Sequence, residues 1–414
     1  MRKLISLYTG AGGLDLGFEA AGFETAVAVE LDAEAVATLR HNRSWPVIDR
    51  DIHTVSSKEL LDKAGLKSGE PDALIGGPPC QPFSKSGYWV SGDTLRLDDH
   101  RAGTLAAYLR VLRDTLPRTF LLENVPGLVY QNKSEGLHLI EQAIEQINQA
   151  CGTSYTIAVK KINGADFGVP QLRERVFVIG AREGNQFRFP TPTHAPDDEV
   201  SPLAPRRKPY TTAWDAIGDL DEKVWPAELN PAGKWAGLLR SIPEGQNYLW
   251  HTSEGGGEPL FGWRTRYWSF LLKLAKRRPS WTIQAAPGPA TGPFHWRNRL
   301  LSIEELARLQ TFPRGYYFIG NRRSAHRQIG NAVPCALGEL LGLEMRRQFL
   351  SDPIPERRLT LIPTRRRDCP PAQRHQSVPS EYLHLRGSYP PHPGTGLGPR
   401  RTWLDVATPF SQET

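Results

Sequence analysis

The chain has 414 residues, a formal charge of +7 and a pI near 9.2, so it can build more than one core and suits a polyanionic partner. Its four cysteines, Cys80, Cys151, Cys335 and Cys369, are scattered without CxxC pairs, which argues against a disulfide framework or a structural zinc site and for a reducing cytoplasm. No apolar run is long enough to span a bilayer, so a membrane protein is not expected.

Leu4 to Tyr8 is predicted as a short apolar strand, followed by Thr9-Gly10-Ala11-Gly12-Gly13, a glycine turn that runs into a helix. This is a nucleotide-binding opening, because backbone N–H groups can approach a ligand closely only where side chains are absent. A second strand, Thr25 to Val29, ends in Glu30, about twenty positions beyond the first glycine, where such folds grip ribose hydroxyls. Asp51 and Ile52 stand at the next strand end, where the carboxylate suits either an adenine amino group or the cap of a short helix.

The fourth apolar strand runs into Gly76-Gly77-Pro78-Pro79-Cys80-Gln81-Pro82-Phe83-Ser84. Two glycines admit a close neighbour and two prolines fix φ ahead of one thiol, so Cys80 reads as a held nucleophile, with a small buried hydrophobe as the ordinary alternative. The polar stretch from Lys85 to Arg101 is expected to be a mobile lid. Strand Thr119 to Leu122 ends in Glu123-Asn124-Val125, and consecutive strand ends of a parallel sheet share one rim, so Glu123 is expected beside Cys80. Gln171, Arg173 and Arg175 alternate just ahead of strand Val176 to Gly180; their forked donors suit a base oxygen or a phosphate, or else a solvated strand edge.

Beyond about residue 185 the α/β rhythm stops, and Pro-rich pieces such as Ser201 to Pro209 alternate with aromatic ones such as Trp263 to Trp268. Leu271 to Arg278 is read as a basic, helix-like run for contact with a nucleic-acid backbone. Ser302 and Glu305 form the signature of a capping box for a helix that stops before Pro313, and the segment Arg327 to Pro334 opens a last helix ending near Phe349. The expected organisation is a catalytic and cofactor-binding domain at 1–184, completed by 325–350, a smaller irregular domain with a hinge helix at 185–324, and a disordered Pro/Arg-rich tail at 351–414.

Taken together, Thr9 to Gly13, Glu30, Asp51, Gly77 to Ser84, Glu123 to Val125, Gln171 to Arg175, Arg308 to Pro313 and Gln328 to Pro334 resemble, in order and spacing, the motifs of the DNA (cytosine-5) methyltransferases. The resemblance covers roughly residues 1–350 apart from the variable insert. It implies an α/β fold, an S-adenosylmethionine-dependent methyltransferase Rossmann-like domain with a smaller irregular target-recognition domain. It further implies S-adenosyl-L-methionine as cofactor, no metal, and a flipped cytosine of a specific double-stranded DNA sequence as substrate.

By the same resemblance Cys80 adds to carbon 6 of the ring, Glu123 protonates or hydrogen-bonds nitrogen 3, and Arg175 holds the oxygen at carbon 2 with Arg173 beside it. Tyr8, where family members usually carry phenylalanine, lies against the adenine. Gly10, Gly12 and Gly13 form the turn, Glu30 holds the ribose, Asp51 and Ile52 frame the adenine, and Pro78 and Asn331 close the cofactor site. The implied setting is a monomeric prokaryotic restriction-modification enzyme of the cytoplasm, paired with a restriction endonuclease. A tRNA cytosine-5 methyltransferase and a catalytically silent DNA-binding scaffold are the alternatives; the large insert argues against the first, and intact Cys80, Glu123, Arg173 and Arg175 against the second.

Overall fold

The structure is a computed structural model describing residues 1–79, 103–129, 135–197, 207–262, 268–354, 358–387 and 389. Cys80, the Lys85 to Arg101 stretch, Ser201 to Arg206, Trp263 to Tyr267 and the last residues of the tail lie outside the described residues. In chain order the elements are β1 (Arg2–Leu7), α1 (Gly13–Ala20), β2 (Phe23–Val29), α2 (Ala33–Asn42), β3 (Val47–Ile48), α3 (Ser57–Ala64), β4 (Ala73–Gly76), α4 (Thr104–Thr115), β5 (Thr119–Asn124) and α5 (Glu135–Cys151). Then come β6 (Thr156–Asn163), β7 (Gln171–Leu172), β8 (Glu174–Ala181), β9 (His194–Ala195), β10 (Lys208–Pro209), α6 (Ala213–Ile217), β11 (Ser280–Trp281), α7 (Ile303–Leu309), α8 (Arg322–Asn331) and α9 (Cys335–Phe349).

Two compact units emerge. The first holds Met1–Phe167, Arg173–Pro192 and Gln310–Ile362. Its sheet has the order β3-β2-β1-β4-β5-β8-β6. Leu4, Ile5, Leu7, Leu74 and Ile75 are wholly buried, as expected of parallel strands covered on both faces, which is why these strands read as unbroken apolar runs. The Tyr108 hydroxyl of α4 lies 3.2 Å from the Leu74 carbonyl and 3.0 Å from that of Leu121, fixing the helix over β4 and β5.

The sheet is not parallel throughout: β8 runs antiparallel to both β5 and β6. This reversal carries the start of β8 to the carboxyl end of β5, where Asn124 pairs with Val176 and Glu123 with Phe177. The C-terminal part also differs from expectation. The first unit resumes at Gln310 rather than at 325, and the expected single last helix is two, α8 and α9, broken at Pro334 because proline lacks the N–H that a continuous helix needs.

The second unit holds Gly168–Leu172, Thr193–Leu309 and Pro363–Thr414. Its α7 opens with the capping box read from sequence: Glu305 N–H donates to Ser302 Oγ at 3.1 Å and Ser302 N–H to Glu305 Oε2 at 2.7 Å. The basic helix expected at Leu271 to Arg278 is not a helix. Leu271, Leu272 and Leu274 are buried, and they draw Lys273 and Lys276 inward, where Lys273 donates to the Ile242 carbonyl and Lys276 pairs with Glu244. Neither ammonium is available to a DNA backbone, and burial pushes that of Lys273 down to about 7.

The disordered tail is likewise corrected over its described part. Arg366 donates its backbone N–H to Asp215 at 2.7 Å and its guanidinium pairs with Asp219 at 2.8 Å. Tyr382 is buried, stacks on Trp235 with centroids 6.0 Å apart, and donates to the Lys234 carbonyl at 2.8 Å. Isolated anchors hold this strap to the second unit without any repeating element, so a search for hydrophobic period has nothing to find.

Candidate active site

After β1 the chain turns through Tyr8 and Gly10 into α1, and Gly12, at φ 78°, occupies the left-handed position that precedes the helix. At the end of β2, the Glu30 carboxylate accepts the N–H groups of Gly10 at 2.6 Å, Leu31 at 2.9 Å and Asp32 at 2.8 Å. Three donors fix one anionic carboxylate and leave it further lone pairs for a ligand hydroxyl. Asp51 accepts from His53 N–H at 3.0 Å and faces His53 Nδ1 at 2.7 Å, which holds its carboxyl below the usual range. Asp51 therefore caps the short turn Ile52–Thr54, and it also lines the cavity.

That cavity, about 990 Å³, lies within the first unit. Tyr8, Gly10, Gly13, Glu30, Asp51, Ile52, Pro78 and Asn331 line it, as do Glu123 and Arg175; Gly12 does not, since it packs toward Leu39 and Trp45. One wall thus offers a held carboxylate and N–H groups near a helix N-terminus, and another offers apolar surface from Ile52 and Tyr8, a donor set that fits a nucleoside with a charged tail.

At the carboxyl end of β5, Arg175 Nε donates to Glu123 Oε1 at 2.8 Å. Burial raises the Glu123 carboxyl above its ordinary value, against the pull of Arg175 and Arg173. Gly77 faces the same carboxylate; a Cβ there would stand 2.7 Å from Glu123 Oε2. The two proline carbonyls are anchored from separate elements, Pro78 by Asn124 Nδ2 at 3.1 Å and Pro79 by Thr104 Oγ1 at 2.9 Å. Cys80, bonded to Pro79, lies outside the described residues.

Arg173 lies beside Arg175, within electrostatic reach of Glu123, and its hydrogen bonds run to a second place. It is wholly buried and donates to the carbonyls of Gly330 at 2.6 Å and Ala332 at 3.0 Å, while Gln310 Nε2 donates to those of Ile329 at 2.8 Å and Ala332 at 3.2 Å. A cation at a helix C-terminus satisfies carbonyls that have no intrahelical partner, so Arg173 fixes the Asn331 turn while lying close enough to Glu123 and Arg175 to act on both electrostatically. A break in the strand at Arg173, between β7 and β8, ends the alternation. Gln171 leaves the group: within the second unit its side chain lies 3.3 Å from the Leu309 carbonyl and accepts from Ile283 N–H at 3.1 Å. Sequence reasoning assigned no role to Asn124 or Thr104; the position of Asn124 beside Glu123 was a usable signal, whereas nothing local marked Thr104.

A family model for C-5 cytosine-specific DNA methylase matches residues 2–347. The chain belongs to that family. It is 40% identical over 362 residues to Type II methyltransferase M.SacI of Streptomyces achromogenes, covering 82% of this chain and 91% of the relative. With Type II methyltransferase M.NgoFVII of Neisseria gonorrhoeae it shares 34% identity, over 80% of this chain and 83% of the relative. A crystal structure of a Spodoptera frugiperda DNMT2 mutant superposes with a TM-score of 0.56 at 17% identity, covering 83% of this chain and 99% of that one, a likeness of fold. The chain is a DNA cytosine-5 methyltransferase. Among the described residues no helix is long and apolar enough to cross a membrane.

Proposed function

We propose that this enzyme methylates carbon 5 of a flipped cytosine within a specific double-stranded DNA sequence, through a covalent bond to Cys80. We place it, as a monomer, in a Type II restriction-modification system opposite a restriction endonuclease, in line with the names of its relatives. The observation that carries the chemistry is the Glu123–Arg175 pair at 2.8 Å, set on one cavity with the anchored Pro78 and Pro79.

Carbon 5 of cytosine is a poor nucleophile until carbon 6 is attacked. The Cys80 thiolate supplies that attack, and the electron pair displaced into the ring makes carbon 5 reactive. Glu123 delivers a proton toward ring nitrogen 3, offsetting the charge that develops there, and the raised affinity of its carboxyl for a proton suits this role. Arg175 orients Glu123 and holds the oxygen at carbon 2. Glu30, Asp51, Ile52 and the Tyr8 ring would hold S-adenosylmethionine, whose sulfonium would supply the methyl group to carbon 5 and leave as S-adenosylhomocysteine. Loss of the carbon 5 proton to a base then expels Cys80 and restores aromaticity.

The test is incubation with a mixed-sequence duplex and methyl-labelled S-adenosylmethionine, followed by digestion to nucleosides. Label in 5-methylcytosine with the parent, and none with Cys80→Ser, is the expected result. Label on tRNA alone, or cofactor binding with no transfer to either nucleic acid, would overturn the reading. At a hundred times its Kd the cofactor should also stabilise the first unit by about 2.7 kcal/mol, read as a thermal shift in both proteins.

A further inference from the structure

Tyr8 has two features that a cofactor-stacking ring does not require. Its backbone has φ 55°, in the left-handed region that a bulky residue rarely adopts. Its hydroxyl is also committed, donating to the Thr104 carbonyl at 2.6 Å. Burial raises the Tyr8 phenol well above its ordinary range, so it stays protonated and can only donate to a carbonyl.

Thr104 begins α4, and its own Oγ1 donates to the Pro79 carbonyl at 2.9 Å. A continuous chain of two hydrogen bonds therefore runs from the ring on the cavity wall, through the first residue of α4, to the residue bonded to Cys80. Asn124 holds the neighbouring Pro78 carbonyl from β5, so the Pro-Pro pair is clasped from both sides. Removing the Tyr8 hydroxyl takes one brace from Thr104, which carries the α4 side of this clasp, and leaves the β5 side intact. A phenylalanine at this position would present the same ring face and none of the coupling.

We infer that the Tyr8 hydroxyl is a positioning group in this enzyme, coupling the cofactor wall by way of Thr104 to Pro79, the residue bonded to Cys80. It touches no reacting atom. Its effect is exerted on the attack geometry, not on cofactor affinity, because the ring that meets the cofactor does not change. The inference rests on Cys80 being the nucleophile.

The experiment uses the full chain and a duplex containing 5-fluorocytosine, where fluorine in place of the departing proton blocks release and the covalent complex accumulates. Trapping rates are compared among the parent, Tyr8→Phe, Thr104→Ala, Thr104→Ser and Tyr8→Phe/Thr104→Ala, with Cys80→Ser as control. Cofactor Kd is measured separately by calorimetry, and thermal midpoints are recorded.

Tyr8→Phe and Thr104→Ala are expected to slow trapping about five- to twentyfold with cofactor Kd within about twofold of the parent, the effect of a misplaced attacking group. Thr104→Ser should restore the rate, and the double variant should be no slower than the slower single one. Trapping by Tyr8→Phe at the parental rate, a weaker cofactor Kd that accounts for the whole loss, or fully multiplicative defects in the double variant would each overturn the inference. Absence of trapping in the parent, or its persistence in Cys80→Ser, would instead sink the assignment of Cys80 on which it rests.

Discussion

Glu123 can donate a proton only while it holds one. Its carboxyl is raised by burial, so the protonated fraction persists to higher pH than for a surface glutamate and falls as pH rises through that value. The single-turnover methylation rate should therefore show a descending alkaline limb that disappears in Glu123→Gln, together with a loss of roughly 10²- to 10⁴-fold at the optimum. A pH–rate profile of both proteins checks this, and a parallel limb in the variant would refute it.

Asp15 presents the same physics without the chemistry. It is wholly buried beside Thr25, and burial raises its carboxyl to about 7 from an ordinary 3.8. The folded form keeps a proton that the unfolded chain releases, so stability falls as pH rises from 3.8 to about 7 and is level above. Asp15→Asn removes that titration. Relative to the parent it should gain on the order of 2–4 kcal/mol at pH 8, with the gap closing toward pH 4, as measured by urea denaturation at both values.

At the scale of the element, the strap at 363–387 is where stability is most easily removed without touching the cavity of the first unit. Tyr382→Ala deletes a buried ring stacked on Trp235 and should cost about 3 kcal/mol, visible in the tryptophan fluorescence of the second unit during denaturation. Ending the chain at Ile362 should abolish sequence-specific methylation while leaving cofactor binding in place, checked by calorimetry beside the methylation assay.

The elements also show what a sequence displays and what it conceals. Continuous apolar runs marked β1, β2, β4 and β5, and Ser302 with Glu305 marked the start of α7, because burial and capping act over a few neighbouring residues. Glu30, Asp51 and Glu123, which line the cavity, stand at or just beyond strand ends visible in the sequence. The carbonyl contacts of Arg173 at the Asn331 turn, and the reversal of β8, depend on distant parts of the chain and leave no local mark. The buried lysines of 271–278 followed their leucine neighbours, a competition that charge alone does not reveal.

For the whole molecule, the charge of +7 makes DNA binding partly a release of counterions. Affinity for a non-cognate duplex should fall at least tenfold between 50 and 200 mM salt, read by fluorescence anisotropy; a flat response would mean that the basic excess lies away from the duplex.

Both units are closed by late segments of the chain. The first needs Gln310–Ile362, including α9 packed on α1, to complete what Met1–Pro192 begins, and the second needs residues beyond Pro363. During synthesis the amino-terminal strands leave the ribosome roughly tens of seconds before the helix that covers α1 exists. The cavity cannot be complete in a nascent chain, so an unfinished polypeptide cannot modify DNA, and early exposed strands become the natural clients of a chaperone. Any division of this enzyme into two separately made pieces must therefore keep 310–362 available to the first, or that piece will lack its own lid of helices.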